Sequence, residues 1–461
     1  NPNLSIYSYM IGDKNTRQCA VIDPVRNIEG YVALANANNM VITHVLETHV
    51  HADFVSGAKE LKKYYEGKPL ICCSHMGGKE WLPSYADIPV EDGTEIHLGT
   101  VFLKAMHTPG HTPEHIIWLA FDMIRSPTNP RFIFTGDLLF VGGIGRPDLL
   151  QEHYFDFLSK ELYTTIFYRL KRFPDYTEIY PGHGAGSLCG KSIQSRNSST
   201  IGYERKFNPF LQDTPEKQWI EELMDKMSPA PPYFNKVKQI NLWGPQIIEK
   251  QTTPLKELSA KEVYDLSCEG CQILDTRSKE SYSSLHIPNS INIPFSTNMA
   301  SWAGWVLNYD LPLILITEEE SQLQFVANQL RLIGFDVIAG YLNGGIGSWE
   351  KEGLKTEQIK VFSVQEISKL LNSSSEWNVI DVRSDSEWDS GHIEKALHVT
   401  IDDIINKKHK LDKKQSYAVT CRTGYRASIA ASVLKQQGFT KIANIFGGME
   451  AWENEKFPIV T

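Results

Sequence analysis

Two histidines and an aspartate crowd into Thr48-His49-Val50-His51-Ala52-Asp53-Phe54, directly after the apolar run Val41-Ile42-Thr43-His44-Val45-Leu46. Imidazole nitrogen and carboxylate oxygen are the donors a divalent cation takes, and a strand end that aims them into one pocket is where a cation would sit. One isolated histidine is usually a satisfied core or loop residue. Here three more stretches repeat the signal: Thr108-Pro109-Gly110-His111-Thr112-Pro113-Glu114-His115, Phe134-Thr135-Gly136-Asp137 and Tyr180-Pro181-Gly182-His183-Gly184. Each follows an apolar run, and each sets its metal-type residue beside glycine, where the backbone turns sharply into a cleft.

A second chemistry lies far downstream. The apolar run Tyr417-Ala418-Val419-Thr420 leads into Cys421-Arg422-Thr423-Gly424-Tyr425-Arg426, and a helix of small and apolar residues follows. A cysteine between a strand end and a helix start meets several backbone N–H groups and the positive end of the helix dipole, which favour thiolate over thiol. Arg422 and Arg426 add positive charge. A buried structural cysteine has apolar neighbours on both sides, and Cys421 does not. The other cysteines read differently. Cys19, Cys72 and Cys73 sit in apolar runs as core thiols. Cys268-Glu269-Gly270-Cys271 is a pair of surface-loop thiols, since zinc wants two more ligands.

These motifs need several cores to position them. The chain has 461 residues, with 41% hydrophobic and 22% charged residues, the composition of a globular protein of about three domains. A net charge of −9 excludes a protein built to coat nucleic acid or an anionic membrane. No apolar run reaches the roughly 18–20 residues of a membrane-crossing helix. No signal peptide is visible, and seven cysteines fit a reducing compartment better than a disulfide framework, so a cytoplasmic location is expected. Residues 5 to 23 read as a strand pair, and 28 to 40 and 55 to 65 as helices. Residues 152 to 173 carry Phe155, Phe157, Leu158, Leu162, Ile166 and Leu170 at helical spacing for a core. Asn208-Pro209 and Thr214-Pro215 open a short helix through Met227, which Ser228-Pro229 breaks.

Two later stretches match each other at a spacing of about 100 residues. The first has Ile273-Leu274-Asp275-Thr276-Arg277, His286-Ile287-Pro288, Gly334-Phe335 and Leu342-Asn343-Gly344-Gly345-Ile346-Gly347-Ser348-Trp349. The second has Val379-Ile380-Asp381-Val382-Arg383, Gly391-His392-Ile393, Gly438-Phe439 and Phe446-Gly447-Gly448-Met449-Glu450-Ala451-Trp452. Counting back from Gly334 as from Gly438 puts Thr317 where Cys421 would be, followed by Glu318-Glu319-Glu320. Three carboxylates there would repel an anionic sulfur donor. The first copy is therefore expected to be inactive, a spacer or docking surface.

The four-part histidine and aspartate constellation resembles the metallo-β-lactamase superfamily over about the first 200 residues. Both repeats resemble rhodanese domains. The resemblance implies an α/β multidomain protein: an N-terminal αββα sandwich with the metal at one edge, then two α/β rhodanese-like domains with parallel sheets. The expected domains are 1–205, a connecting segment 206–250, an inactive rhodanese-like domain 251–355 and an active one 356–461. In the second copy it implies catalytic roles for Cys421, Arg422, Gly424 and Arg426, with Cys421 carrying sulfur as a persulfide. Phosphatases that resemble rhodaneses have a longer loop, sized for phosphate; the tighter ring here favours a sulfur atom.

In hydrolases of the superfamily the first motif ends in a histidine that helps hold a second zinc, and this chain has Phe54 there. One metal is therefore expected. Similarity to the persulfide dioxygenase branch implies His49, His111 and Asp137 as ligands, the two-His-one-carboxylate set that suits Fe(II) and O2. His51, Asp53 and His183 would then support that shell, with His51 as an alternative fourth ligand. Zinc is the alternative ion. His107, His115, His44 and His75 read as structural. Arg146, in Val141-Gly142-Gly143-Ile144-Gly145-Arg146-Pro147-Asp148, would pair with an anionic group of a thiol substrate or else with Asp148. Cys189 would be a sulfur relay or an oxidation-prone bystander.

The whole resembles fusions that oxidise a low-molecular-weight thiol persulfide with O2 to sulfite and pass sulfane sulfur through a Cys421 persulfide to sulfite, giving thiosulfate. No nucleic acid or membrane partner is expected, and a homo-oligomer, dimer or tetramer, is. The competing expectations are a zinc thioester hydrolase resembling glyoxalase II with an appended sulfurtransferase, and a non-enzymatic sulfur carrier using Cys421 alone.

Overall fold

A computed structural model describes every residue except 151, 226, 228, 249–253, 374 and 375. The domain boundary expected at 250/251 and the helix breaker at Ser228 lie outside the described residues. The chain divides into two compact units, Asn1–Gln251 with Arg331–Asp336, and Thr252–Leu330 with Val337–Thr461.

The first unit is the αββα sandwich. Tyr9–Asp13 and Gln18–Ile22 form the expected antiparallel pair, and Val41–Leu46 adds in parallel as the third strand of a five-stranded sheet. A six-stranded sheet faces it, with Val101–His107, Ile116–Asp122 and Phe132–Gly136 side by side. Strand alternation sorts the side chains into layers. Ala20, Ile22, Leu46, Leu103, Ala105, Ile116, Trp118 and Ala120 fill the space between the sheets. Their neighbours Cys19, Val21 and Val45 point the other way and meet helices Glu29–Ala37 and Ala58–Tyr64. On the far side, Met106, Ile117, Leu119 and Ile133 meet Leu162, Ile166 and Leu170.

The helix read over 152 to 173 is α-helical only at Glu152–Thr164, then widens to a π turn and tightens to a 3₁₀ turn. Phe157, expected in the core, is 52% exposed. Leu158, Leu162 and Ile166 recur every four residues on one face, and Phe157 lies about 100° off it. The segment after 205 does more than connect. Trp219 and Leu223, on helix Glu216–Met224, complete the outer core. Asn241, on helix Tyr233–Trp243, donates to the His51 and Phe54 carbonyls at 2.7 and 2.8 Å and so supports the ligand loop.

The second unit holds two five-stranded parallel sheets with the same order: the first strand of each copy at the edge, then the fifth, fourth, second and third. Equal topology explains the repeated sequence. The repeated Asp-x-Arg is a buried ion pair at the carboxyl end of the second strand. Arg277 meets Asp275 at 2.6 Å and reaches the Leu285 carbonyl; Arg383 meets Asp381 at 2.7 Å and reaches the Gly391 carbonyl. Among the described residues, no helix is long and apolar enough to cross a membrane.

Candidate metal centre and sulfur-transfer loop

The four motifs emerge at one edge of the sandwich. His49, His51 and Asp53 follow Val41–Leu46 of one sheet; His111, Asp137 and His183 follow strands Val101–His107, Phe132–Gly136 and Glu178–Pro181 of the other. His49, His111 and Asp137 are buried and bring one donor atom each within 4.8 Å of the others. Asp137 Oδ2 lies 3.9 Å from His49 Nε2, 3.5 Å from His111 Nε2 and 3.4 Å from His183 Nε2. Neither Asp137 carboxylate oxygen has a hydrogen-bond partner. A buried carboxylate left so costs several kcal/mol, which a coordinated cation offsets. The residues present therefore fit a metal ion.

The ring orientations point the same way. His111 Nδ1 donates to the Arg146 carbonyl at 2.9 Å, and His183 Nδ1 to the Ser5 carbonyl at 3.2 Å. Thr48 Oγ1 donates to Asp23 Oδ2 at 2.8 Å, so its lone pair receives Nδ1–H of His49 at 3.0 Å. Carbonyls only accept, so these contacts hold the proton on Nδ1 and leave each Nε2 lone pair facing Asp137. Burial pushes His111 down to about 3, and burial with the neighbouring imidazoles holds His49 well below its ordinary value. Both rings are thus neutral, the form that ligates. Burial pushes Asp137 up to about 6, a cost that a bound cation would reverse.

His51 sits apart from this set. Its Nε2 faces Asp23 Oδ1 at 3.0 Å and Glu47 Oε2 at 3.4 Å. Burial alone would lower its pKa, but those two carboxylates carry it well above the ordinary value. His51 thus turns toward Asp23 and Glu47, with which it forms a buried donor set of its own within 4.8 Å. Phe54 is buried with its ring 4.2 Å from that of His51. Asp53, His183 and Cys189 form another buried donor set within 4.8 Å, with a thiol among the donors. Cys189 is 1% exposed, and burial with the Asp53 and Asp137 carboxylates pushes its thiol well up.

Arg146 meets the second of its two expected partners. Its guanidinium is buried and bidentate to Asp148 at 2.6 and 2.7 Å, the alternative partner. Its carbonyl orients His111. A side chain at Gly145 would collide with the Asp137 carbonyl, which is why that turn needs glycine. Four supporting residues carried weak or no sequence signal: Asp23, Glu47, Glu114 and Asn241. Glu114 Oε1 receives Val50 N–H at 2.8 Å, inside the first motif. Asp23 ends an apolar strand, the same signal that marked Asp137. His115 is structural as expected: its Nε2 receives the Asp137 N–H at 3.1 Å.

In the second unit, Ser416–Thr420 is a buried strand and Tyr425–Gln436 the helix after the loop. Cys421 Sγ accepts the Gly424 N–H at 3.1 Å. The Met449 and Glu450 amides bind the Cys421 and Arg422 carbonyls at 2.8 and 3.0 Å. A side chain at Gly448 would strike the Cys421 carbonyl, so the repeated Gly-Gly seats one helix start under the loop. Arg426 is bidentate to Glu387 at 2.7 Å on both arms, while Arg422 Nη1 alone donates to both Glu453 oxygens, at 2.8 and 2.9 Å.

The Arg426 hydrogen bonds hold Glu387 down at about 2, from 4.5. A depressed acid stabilises the fold above its unfolded pKa, and the contribution fades as pH falls from 4.5 toward 2. Glu387→Gln should therefore lower the melting temperature of this unit at pH 6, with the gap to the parent closing as pH drops to 3. Parallel melts across that range test it; a constant gap would remove the ion pair from the account.

In the first copy, Asp275 pairs with Ile316 as Asp381 pairs with Thr420. The register therefore sets Thr317 at the position of Cys421. Glu318 follows and accepts from Ser278 N and Ser281 Oγ at 3.1 and 3.0 Å.

Comparison with known proteins agrees with this geometry. The metallo-beta-lactamase superfamily matches residues 2–183, and the rhodanese-like domain matches 259–352 and 363–455. The crystal structure of a metallo-beta-lactamase from Staphylococcus aureus subsp. aureus COL is 36% identical, covering 74% of this chain and 96% of that one at a TM-score of 0.66. The mitochondrial persulfide dioxygenase ETHE1 of Homo sapiens is 29% identical over 206 residues, 44% of this chain and 71% of its own. The cytoplasmic hydroxyacylglutathione hydrolase of Arabidopsis thaliana is 32% identical over 249 residues, 48% of this chain and 89% of its own. The chain belongs to the metallo-beta-lactamase superfamily, as a member that carries two rhodanese-like domains after its metal-site domain.

Proposed function

We propose that this protein is a persulfide dioxygenase joined to a sulfurtransferase. A low-molecular-weight thiol persulfide, O2 and water give thiol, sulfite and two protons at the first site. The second site passes sulfane sulfur from a Cys421 persulfide to sulfite. The observation that carries the reading is the buried His49, His111 and Asp137 set with both Asp137 oxygens unpartnered, on one chain with the Cys421 loop. In this reading the set holds one Fe(II) per chain. When bound, Fe(II) would supply redox chemistry with O2. The Arg146 carbonyl and Thr48 hydroxyl hold the two rings, and Asn241 and Glu114 hold the loop.

In the transfer step, a sulfite lone pair attacks the outer sulfur. The bond to Cys421 Sγ breaks, its electron pair returns to Sγ as thiolate, and thiosulfate leaves. The Gly424 N–H that meets Sγ stabilises that thiolate. The covalent tether keeps sulfite production and consumption at high effective concentration. We assign residues 1–205 to the oxygenase, 206–250 to its connecting and supporting segment, 251–355 to the inactive copy and 356–461 to the active one.

Zinc thioester hydrolysis is the second reading, favoured by the donor set Asp53, His183 and Cys189, which a second cation would need. Metal analysis of anaerobically purified protein, with oxygen-electrode traces on glutathione persulfide, separates the two. One iron per chain and oxygen uptake are expected. Two zincs and a flat oxygen trace would give the site to the hydrolase.

A further inference from the structure

We propose that the inactive first copy sets the shape of the sulfur-transfer loop in the second, and that Tyr425 is the positioning residue through which it does so. The inference rests on the transfer reading above. Both copies lie in one compact unit. The loop's own copy fixes its upstream backbone, where the Met449 and Glu450 amides bind the Cys421 and Arg422 carbonyls, and pairs Arg426 with Glu387. Tyr425, between them, is held by the other copy. Its hydroxyl donates to the Pro294 carbonyl at 2.9 Å. A hydroxyl has one proton to give, so the Ser296 hydroxyl, also at 2.9 Å, donates to the Tyr425 oxygen. One ring tip thus holds two bonds to the first copy. Burial pushes the phenol up to about 12, so the donated proton stays in place near neutral pH.

The helix that continues from the loop, Tyr425–Gln436, is seated the same way. A helix on the face of a sheet ordinarily keeps a wet outer side, yet every residue from Ala427 to Leu434 is buried. The helix packs between its own strands Ser416–Thr420 and Ile442–Ile445 and the edge strand Ile291–Asn292 of the first copy. Ser428 and Ser432, one turn apart, both meet Asn292: Ser428 Oγ donates to Asn292 Oδ1 at 2.6 Å, and Asn292 N to Ser432 Oγ at 3.2 Å. Asn292 is buried, and its side-chain nitrogen donates to the Asp275 and Arg277 carbonyls at 3.0 Å each. The matching edge strand of the second copy, Leu397–His398, has no such cover, and Leu397 is exposed. The first copy is therefore the platform and the second is seated on it.

Gly424 is the joint between the two sets of anchors. It stands at φ +94° ahead of the helix, and its amide meets Cys421 Sγ at 3.1 Å. When sulfite takes the outer sulfur, the electron pair of the broken S–S bond returns to Sγ, and this amide meets the charge that forms there. Holding Tyr425 holds the peptide that follows Gly424, and so the angle at which the Gly424 amide faces Sγ. Tyr425 acts through Gly424 and leaves sulfite binding alone.

In full-length Tyr425→Phe protein the ring stays and both bonds go. The test is a single turnover. Cys421 thiolate first takes the outer sulfur of thiosulfate, releasing sulfite; the persulfide is quantified by intact mass, excess reagent is removed, and fresh sulfite discharges it. The expected result is a persulfide amplitude equal to the parent's, a discharge rate about tenfold lower, and a KM for sulfite within about twofold of the parent's. Ser296→Ala, which loses one of the two bonds, should discharge about threefold slower than the parent. The double variant should be no slower than Tyr425→Phe, because both changes break the same contact. A merely structural loss would lower the amplitude and spare the rate of the sites that remain. That result, or parental discharge in Tyr425→Phe, overturns the proposal alone. A parent whose persulfide does not discharge to sulfite overturns the proposal together with the functional reading beneath it.

Discussion

Cys421→Ala should consume oxygen and release sulfite at the parent's rate while forming no thiosulfate above background. The physical case is separation of parts. Cys421 lies in the parallel-sheet unit, its Sγ met by the Gly424 amide and its carbonyl by the Met449 amide, and neither group belongs to the histidine pocket. Removing a sole nucleophile takes away the covalent route entirely, a loss on the order of 10³-fold or more. The first copy offers no substitute, because Thr317 stands in the matching register position and Glu318 follows it. Sulfite and thiosulfate measured together decide the matter. Loss of oxygen uptake alongside thiosulfate would mean that the two sites do not divide the work.

Asp137→Ala should come off the column with its bound metal gone and its oxygen uptake abolished, yet still transfer sulfur from added thiosulfate at Cys421. Asp137 carries an oxygen that faces His49, His111 and His183 together, at 3.9, 3.5 and 3.4 Å. Without it, buried neutral imidazoles face the cation with no compensating charge from this position. Loss of an outer-shell partner typically costs about 10–100-fold in metal affinity, and loss of a charged ligand should exceed that. Burial has already raised the Asp137 carboxyl, so alanine also removes an unpartnered buried charge, and the apo variant should melt no lower than the apo parent. Iron content by elemental analysis and apo melting temperature test both halves. A variant with parental iron would take Asp137 out of the metal set.

The donors were legible because each is local. A strand end, a glycine and a histidine or aspartate fit within a few residues, as in Phe134-Thr135-Gly136-Asp137, and the sandwich layers follow from alternation along strands such as Ile116–Asp122. The Asp-x-Arg of each repeat was legible as a pattern, though its meaning as a buried ion pair was not. Roles that turn on a partner were less readable. Arg146 carried two readings, and only burial beside Asp148 chose between them. His51 looked like His49, yet it turns toward Asp23 and Glu47 because those strand-end carboxylates lie on its side of the pocket. Phe157 fell to the wrong face because helical spacing tolerates an error of one residue and a core does not.

By itself the sequence determined the chemistry on offer: imidazoles and a carboxylate at the ends of buried strands, one nucleophilic cysteine before a helix, and a repeat whose first copy lacks that cysteine. Those properties live within a few bonds of one another, where residue type and spacing are sufficient. Tertiary structure alone decided which groups share a pocket. It set Cys189 beside Asp53 and His183 and brought Asn241 under the ligand loop. Those neighbours are far apart along the chain, and they meet only because burying the apolar faces of sheets and helices leaves their polar ends one place to converge.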